Sequence, residues 1–207
     1  MPHDSEVVDL RARRARTPSR IDYTPRPDLP KLAGLARFAP ERGTLDVWHG
    51  SAVECRPTFL VEGVWDGAFE LGEFHRGAHL FGSGIRLDDG AVYFMPSCAL
   101  VDRLFYCWDG GDLLVANSLI ALLAATGASL DPKHDYLIEA RAILAGVDRY
   151  ATAFHVQHPS IEQFHQIFHT AMVVRGGEIA LERTVGLRSF ASFSDYVTTL
   201  RERLAAI

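Results

Sequence analysis

The chain has 207 residues, of which 48% are hydrophobic and 23% are charged, and its formal net charge is −5 at pH 7. These values are ordinary for a globular domain that can bury a substantial core. The weak negative charge excludes a broad basic surface, so we expect no nucleic-acid partner and no attraction to an anionic membrane.

Cysteine usage and hydropathy favour a cytoplasmic protein. Cys55, Cys98 and Cys107 are odd in number and lack the paired spacing of a zinc site or a disulfide framework. A reducing compartment is the simplest home for such thiols. The sequence begins without the apolar centre of a secretory signal and contains no apolar run of membrane-spanning length, so we expect a protein that is neither secreted nor membrane-bound.

Residues 1–30 are polar, rich in arginine and interrupted by prolines, a composition that predicts a flexible tail. From about residue 44 the sequence becomes typical of β-structure. Asp88-Asp89-Gly90 and Asp109-Gly110-Gly111-Asp112 are predicted to be hairpin turns, since glycine accepts positive φ. The predicted strand segments are TLDVWHG, TFLVEGVW, FELGEF, AHLFG, IRL, AVYFMP, RLFYCW and LLVAN. Gly82 and Gly84 indicate a β-bulge rather than a phosphate-binding loop, because no third glycine or helix follows them.

Two helices are predicted after these strands. Asn117 can cap the first, and Gly127 can end it in the left-handed conformation. Asp131 and Pro132 open the second, which Gly146 closes. Its predicted buried stripe consists of Leu137, Ile138, Ala142 and Leu144.

A further hairpin and a last helix complete the predicted elements. The segment AMVVRGGEIALER is predicted to turn at Gly176-Gly177. Ser192 is placed to cap the last helix, with Asp195 three residues later. Tyr196, Leu200 and Leu204 fall on one side of that helix, and this apolar side needs a covering surface.

Residues 92–127, VYFMPSCALVDRLFYCWDGGDLLVANSLIALLAATG, resemble the closing part of the glutaminase domain of asparagine synthetases. The segments SLDPKHDYLIEARAILAG and EQFHQIFHTAMVVRGGEIALER resemble the two-helix connection and the hairpin that follow in that family. FSDYVTTLRERLAAI resembles the first helix of its ATP-using synthetase domain. The similarity covers about residues 90–207 in order, and Asp66, Gly67 and Phe69 could match the family's Asp-Gly-x-Phe strand.

The resemblance implies an α+β fold of the N-terminal nucleophile hydrolase type, in which antiparallel sheets pack with helices in a reduced four-layer αββα arrangement. It also implies three regions: a tail over residues 1–30, a glutaminase-like domain over 31–190 and the first helix of a synthetase-like domain over 191–207. The remnant of the glutamine pocket would then offer Phe94, Ser97, Asp102 and Arg103 to a ligand.

The glutaminase chemistry of that family is missing from the sequence. Such enzymes use an N-terminal cysteine whose own α-amino group is the base, whereas here Pro2 follows Met1. The Asn-Gly-Glu loop that supplies the family's oxyanion hole is also absent. We therefore expect no catalytic residue and no cofactor in this chain, with Mg-ATP bound only by a following or partner synthetase domain.

Histidine spacing raises the question of a metal site. His165 and His169 are four residues apart, with His155 and His158 nearby, and His75 and His79 lie close to Glu73. Two histidines four apart can share a helix face and bind a metal. In a strand-and-loop passage this spacing does not converge, so we predict hydrogen-bonded or surface histidines and no metal.

Three functional hypotheses follow. In the first, the chain is a non-hydrolysing glutaminase-like domain of an ATP-dependent, amide-forming biosynthetic enzyme, and it packs on the synthetase part through the C-terminal helix. In the second, it is a binding module for a small molecule or a protein on the same scaffold. In the third and weakest, it is an active amidotransferase with a relocated nucleophile such as Cys55. A homodimer is compatible with each.

Overall fold

The computed structural model describes residues 16–77, 79–99, 102–146, 149–176, 178–183 and 190–205. It is of mixed α+β type, with 41% strand and 17% helix. The strands are β1 Asp22–Pro25, β2 Gly34–Ala39, β3 Thr44–His49, β4 Glu54–Arg56, β5 Phe59–Trp65, β6 Leu80–Asp88, β7 Ala91–Met95, β8 Leu104–Asp109, β9 Asp112–Ala116, β10 Ala153–His155, β11 Gln163–Ile167, β12 Thr170–Arg175 and β13 Glu178–Arg183. The helices are α1 Leu119–Thr126, α2 Leu137–Ala140 and α3 Phe193–Ala205, with 3₁₀ turns at Phe69–Leu71 and Ala142–Ala145.

The strands form two sheets. One has seven strands in the order β1-β3-β2-β9-β8-β11-β10, and the other has six in the order β13-β12-β7-β6-β5-β4. The pairing of β1 with β3 is parallel, and the pairings between the other neighbouring strands are antiparallel. Antiparallel strands that follow each other in the chain can be joined by tight turns, and such turns have residue patterns that the sequence shows.

The two sheets pack face to face over a shared hydrophobic core. Strand alternation supplies it: on β2, Ala36 and Phe38 point between the sheets while Leu35 points outward. The larger members of this core are Ile21, Phe38, Leu45, Val47, Leu60, Ile85, Val92, Phe94, Leu104, Tyr106, Leu113, Val115, Ile167, Met172, Val174 and Ile179. Burial of this apolar area is the main stabilising contribution to the sandwich.

The predicted hairpins are confirmed where they are described. Asp89 and Gly90 both have positive φ (44° and 67°) between β6 and β7. Gly110 and Gly111 between β8 and β9 also have positive φ, at 56° and 94°. Such pairs match the twist of antiparallel strands. β12 and β13 also pair as predicted, although Gly177 in their predicted turn lies outside the described residues.

Helix α1 covers the outer face of the seven-stranded sheet, where Leu122 is fully buried. Its N-cap is Ser118, whose Oγ accepts a hydrogen bond from the Ala121 N–H at 3.4 Å. The predicted cap, Asn117, is therefore wrong by one residue, because its side chain is used elsewhere. Gly127 ends the helix at φ 73°, as predicted.

The outer face of the six-stranded sheet is covered by the loop at residues 66–77. The predicted strand FELGEF is wrong: Phe69–Leu71 form a 3₁₀ turn that Gly72 closes at φ 59°. Phe74 then inserts fully into a cluster with Phe59, Val61 and Leu80. The 3₁₀ turn reverses the chain, and Phe74 is then buried against the outer face of the six-stranded sheet, which a continuous strand over residues 69–74 would not allow.

The second predicted helix is broken into α2 and the 3₁₀ turn Ala142–Ala145, and its predicted buried stripe is wrong. Ile138 and Leu144 are 70% and 78% exposed, Leu137 is exposed too, and Ala142 alone of that stripe is buried. The buried side chain of α2 is Glu139, 6% exposed, whose Oε1 lies 2.5 Å from His134 Nε2. The side of α2 that packs against the rest of the protein therefore carries the buried Glu139 and its contact with His134, not an apolar stripe.

Part of the predicted tail is ordered in the sheet. Asp22–Pro25 form β1 beside β3, and Ile21 is buried in the core between the sheets. The prediction of a flexible tail is corrected for this stretch, while residues 1–15 lie outside the described ones.

Helix α3 begins as predicted: Ser192 Oγ accepts a hydrogen bond from the Asp195 N–H at 3.2 Å. Phe193, Tyr196 and Leu200 are exposed on it, and the side chain of Leu204 lies outside the described part. None of the described helices is long and apolar enough to cross a bilayer.

Removal of the Phe74 side chain tests the role of the loop at residues 66–77. Phe74→Ala should lower the free energy of unfolding by about 3–5 kcal/mol, because it empties a fully buried aromatic position. The matched control Leu144→Ala should change it by less than about 0.5 kcal/mol, since Leu144 is exposed. Urea denaturation measures both, and equal losses would contradict this packing.

Candidate functional site

A cleft of about 360 Å³ opens where the starts of β2 and β8 and the end of β9 in the seven-stranded sheet meet the middle of β5 and β6 in the other sheet. It is lined by Pro30, Leu32, Ala33, Glu62, Ser83, Asp102, Arg103, Phe105, Asn117 and Ser118. A much smaller cavity of about 20 Å³ lies below it and shares Ser83 and Asn117 with the cleft. The cleft has the concave shape and mixed apolar and polar lining of a ligand site.

The amide of Asn117 holds the base of the cleft together. Its Oδ1 accepts a hydrogen bond from the Gly34 N–H at 2.8 Å, and its Nδ2 donates to the Leu32 carbonyl at 3.0 Å. The same Nδ2 lies 3.0 Å from Ser83 Oγ and 3.3 Å from Glu62 Oε1. Gly34 begins β2 and Asn117 follows β9 in the seven-stranded sheet, whereas Glu62 and Ser83 belong to the other sheet, so this one side chain joins the two.

Glu62 is the central charged group of the cleft. It sits opposite Ser83 on the paired strands β5 and β6, and Ser83 Oγ donates to its Oε1 at 2.9 Å. Burial raises the pKa of the Glu62 carboxyl, hydrogen bonds from Ser83 and Asn117 oppose that rise, and the nearby Asp102 carboxylate adds to it. No cationic side chain among the described residues pairs with Glu62 or Asp102.

Paired glycines lie directly beside Glu62 and Ser83. Gly63 and Gly82 face each other at φ 142° and 120°, and a Cβ at either would meet the carbonyl oxygen of Phe81 or Glu62 at 2.1 or 1.9 Å. The register between β5 and β6 is continuous, so the predicted bulge at Gly82 is wrong and the glycines permit close backbone approach instead. One pair further along, Val64 and Phe81 are exposed.

The four sequence-predicted ligand residues are only partly brought together. Asp102 and Arg103 line the cleft, and Phe94 lines the small cavity below it. Ser97 is buried away from the cleft lining, and its Oγ accepts hydrogen bonds from the Gly82 and Ala99 N–H groups at 3.2 and 3.0 Å. Ser97 therefore holds a loop beside β6.

Arg103 directs its charge away from the two carboxylates. Its Nη1 donates to Gln166 Oε1 at 2.7 Å and to the Glu139 carbonyl at 3.2 Å. The guanidinium lies over the Phe168 ring, 4.8 Å from its centroid. Arg103 forms no ion pair with its neighbour Asp102, and it mainly anchors the segment around Glu139.

None of the three cysteines lines the cleft. Burial raises the pKa of Cys55 to about 11, with Glu54 adding to the effect, and burial raises that of Cys107 to about 12, with Asp109 adding to it. Burial also raises the pKa of Cys98. A thiol with a raised pKa is a poor nucleophile at neutral pH because the reactive thiolate is scarce.

The histidine pairs four residues apart do not converge on a common site. His165 lies on β11 and His169 follows it in a turn, while His75 and His79 approach Asp88 (2.9 Å) and Asp66 (3.3 Å) respectively. Over the described part of the chain, no group of three or more His, Cys, Asp or Glu side chains could hold a metal ion.

Glu62, Ser83 and Asn117 are the site residues that sequence reasoning did not find. Glu62 had a usable signal, since it is the only charged residue in the otherwise apolar strand FLVEGVW. Ser83 and Asn117 had none, because their importance depends on the contact between the two sheets.

Comparison with known proteins adds no assignment. No protein-family model matches the sequence, and no curated protein matches it either. The geometry of the cleft and the resemblance stated above are therefore the basis for a functional proposal.

The raised pKa of Glu62 predicts a specific pH dependence. The folded state binds the Glu62 proton more tightly than the unfolded state does, so protonation of Glu62 stabilises the fold. This stabilisation is lost as pH rises through the folded-state pKa of Glu62. Glu62→Gln keeps the oxygen that Ser83 and Asn117 contact, so it should be more stable than the natural protein at pH 7, with the gain shrinking toward pH 4. Urea denaturation at several pH values measures this.

Glu178→Gln is the matched control, because Glu178 lies exposed on β13. It should show no such pH-dependent gain. If Glu62→Gln is less stable than the natural protein at pH 7, and this deficit shrinks toward pH 4, then the ionised carboxylate stabilises the fold and the predicted effect has the wrong sign.

Proposed function

We propose that the chain is a non-hydrolysing, glutaminase-like domain of an ATP-dependent, amide-forming biosynthetic enzyme of the asparagine-synthetase-like type. In this proposal the two-sheet sandwich is a reduced fold of the N-terminal nucleophile hydrolase type. The synthetase part, in the same or a partner polypeptide, binds Mg-ATP and activates a carboxylate, and the amine comes from solution rather than from glutamine.

The observation that carries the proposal is the chemistry of the cleft. It contains a half-buried carboxylate, Glu62, and no thiol. A tetrahedral intermediate of amide hydrolysis carries an oxyanion, which Glu62 and Asp102 would destabilise by repulsion. The amide N–H donors of Asn117 are already used within the protein. The scaffold is thus compatible with the resemblance, while the reaction of a glutaminase is not supported.

The exposed side chains of helix α3 support a docking role. Phe193 is 79% exposed, and Tyr196 and Leu200 are exposed as well. The ring centroids of Phe193 and Tyr196 lie 6.0 Å apart. Apolar side chains grouped on one helix favour contact with another protein surface. We propose that this side of α3 packs on the synthetase part.

The experiment combines the domain with the synthetase polypeptide encoded with or next to it. Amide formation should proceed with ammonia or an amine and Mg-ATP, and glutamine should not replace the amine. Replacing Phe193 and Leu200 together by serine should lower complex formation about 10-fold or more, as expected for truncated interface anchors, whereas serine at exposed Leu144 should not. Thiol-dependent release of ammonia from glutamine, or full binding by the double variant, would contradict the proposal.

A second function is favoured by one specific observation: among the described residues no cationic side chain pairs with Glu62 or Asp102, and the Arg103 guanidinium in the same cleft donates to Gln166 and Glu139 instead. A module that binds an alkylammonium group would place the charge between these carboxylates, and its apolar part would contact exposed Leu32 at the rim. In this alternative the cleft is a small-molecule site and needs no synthetase.

Calorimetric titration with butylammonium and butanol tests this alternative. The cation should bind more tightly than the alcohol, and Glu62→Gln combined with Asp102→Asn should weaken it about 10-fold or more, since hydrogen bonds to charged groups are lost. Glu178→Gln should bind as the natural protein does. Equal binding of alcohol and cation would exclude the ammonium site.

A further inference from the structure

A second groove, on another face of the molecule, is not used by the proposed function. It lies on the outer face of the seven-stranded sheet, between helix α1 and the turn at residues 26–29, and has a volume of about 270 Å³. We call it the Arg37 groove. Its residues are Arg26, Asp28, Leu29, Leu35, Arg37, Trp48, Leu114, Ala121, Ala124 and Ala125.

The groove has an apolar floor and an apolar wall. Leu35 on β2 and Leu114 on β9 form the floor, and both are buried. The wall is the side of α1 that carries Ala121, Ala124 and Ala125, whose small side chains leave the space open. Trp48 on β3 adds an aromatic surface. Such walls favour a ligand with an apolar body.

A single unbalanced positive charge faces this apolar space. Arg26 donates two hydrogen bonds to the Asp28 carboxylate, at 2.8 and 2.6 Å, so these two charges offset each other. Arg37 lies over the Trp48 ring, 5.8 Å from its centroid. Its cross-strand neighbour Asp46 forms no ion pair with it within 4.0 Å, and no other carboxylate among the described residues does so.

The guanidinium of Arg37 also has an unused donor. Its Nε is buried and has no hydrogen-bond partner among the described residues. A buried N–H without an acceptor is rare in proteins and requires an explanation. An arginine fork is suited to a planar carboxylate, which accepts two parallel N–H bonds. A ligand carboxylate would satisfy both the charge and this donor.

We propose that the Arg37 groove binds a small monocarboxylate with an apolar body. The carboxylate accepts hydrogen bonds from Arg37, and the body lies between Trp48 and the alanine side of α1 over Leu35 and Leu114. The inference is independent of the cleft at Glu62 and of any synthetase partner.

The test is calorimetric titration of the chain at low salt with 3-phenylpropionate, 3-phenylpropanol and 3-phenylpropylamine. The carboxylate should bind about 10- to 100-fold more tightly than the alcohol, as expected for a charge-assisted hydrogen-bond pair. The amine should bind no better than the alcohol, because Arg37 repels it. Equal binding of the three compounds, or no binding of the carboxylate at millimolar concentration, would overturn the proposal.

Three variants locate the site. Arg37→Gln should lose about 10- to 100-fold in affinity for 3-phenylpropionate. Ala124→Leu, at an exposed position of α1, should fill the groove and abolish binding while keeping the guanidinium. Arg42→Gln is the matched control, since Arg42 is exposed, pairs with Asp112 at 3.3 Å and lies outside the groove.

Folding of each variant is checked by its urea denaturation curve, so that a loss of binding can be assigned to the groove. If Arg37→Gln does not fold, Ala124→Leu still decides the outcome. Undiminished binding by a folded Arg37→Gln or Ala124→Leu would show that the ligand binds elsewhere.

Discussion

The side-chain amide of Asn117 joins the two sheets, and the geometry of the candidate cleft depends on this contact. Its carbonyl oxygen extends the pairing of β2 with β9 to Gly34, and its NH₂ group reaches Leu32, Ser83 and Glu62. A network of this kind in a half-buried setting is stable only when its members satisfy one another. Glu62 can therefore stay in the cleft because Ser83 and Asn117 solvate it in place of water.

The same network determines what chemistry the cleft can support. Donors that contact Glu62 are not available to a developing oxyanion, and the Glu62 and Asp102 carboxylates make the local potential negative. A hydrolase needs the opposite arrangement, with preorganised donors and a reactive nucleophile. The raised pKa values of the thiols agree with this conclusion, and none of the three cysteines lines the cleft.

Local signals in the sequence predict the hairpins and the ends of helices, whereas contacts between distant segments are not predictable from it. The turns at Asp89-Gly90 and Gly110-Gly111 and the end of α1 at Gly127 depend on a few adjacent residues with restricted φ. The sequence does not indicate β1 or β2: β1 lies in a polar, proline-containing segment, and β2 is buried on both faces, so its residues do not alternate between apolar and polar. The interior of the second helix was misjudged because Glu139 contacts His134, a partner that hydrophobic periodicity does not indicate.

In the candidate site, too, the sequence indicates some of the residues but not the contacts that they make. Asp102 and Arg103 follow from the resemblance and do line the cleft, but only the folded arrangement shows that Arg103 turns toward Gln166. The resemblance also assigns Ser97 to the ligand pocket, whereas its hydroxyl accepts hydrogen bonds from backbone N–H groups of Gly82 and Ala99. A short polar side chain in a loop can serve either purpose, so sequence alone does not separate ligand binding from loop support.

Strand β2 separates two sites of opposite charge. Ala33, just before it, lines the acidic cleft, and Arg37 within it supplies the charge of the second groove. Four residues of extended strand span about 13 Å at roughly 3.3 Å per residue. Glu62 lies on β5 of the other sheet, and its cleft shares no lining residue with the Arg37 groove. Substitutions at sites without shared contacts have nearly additive effects. A change at Glu62 should therefore leave carboxylate binding at Arg37 intact, and if the two effects proved coupled, β2 itself would have to shift between two positions.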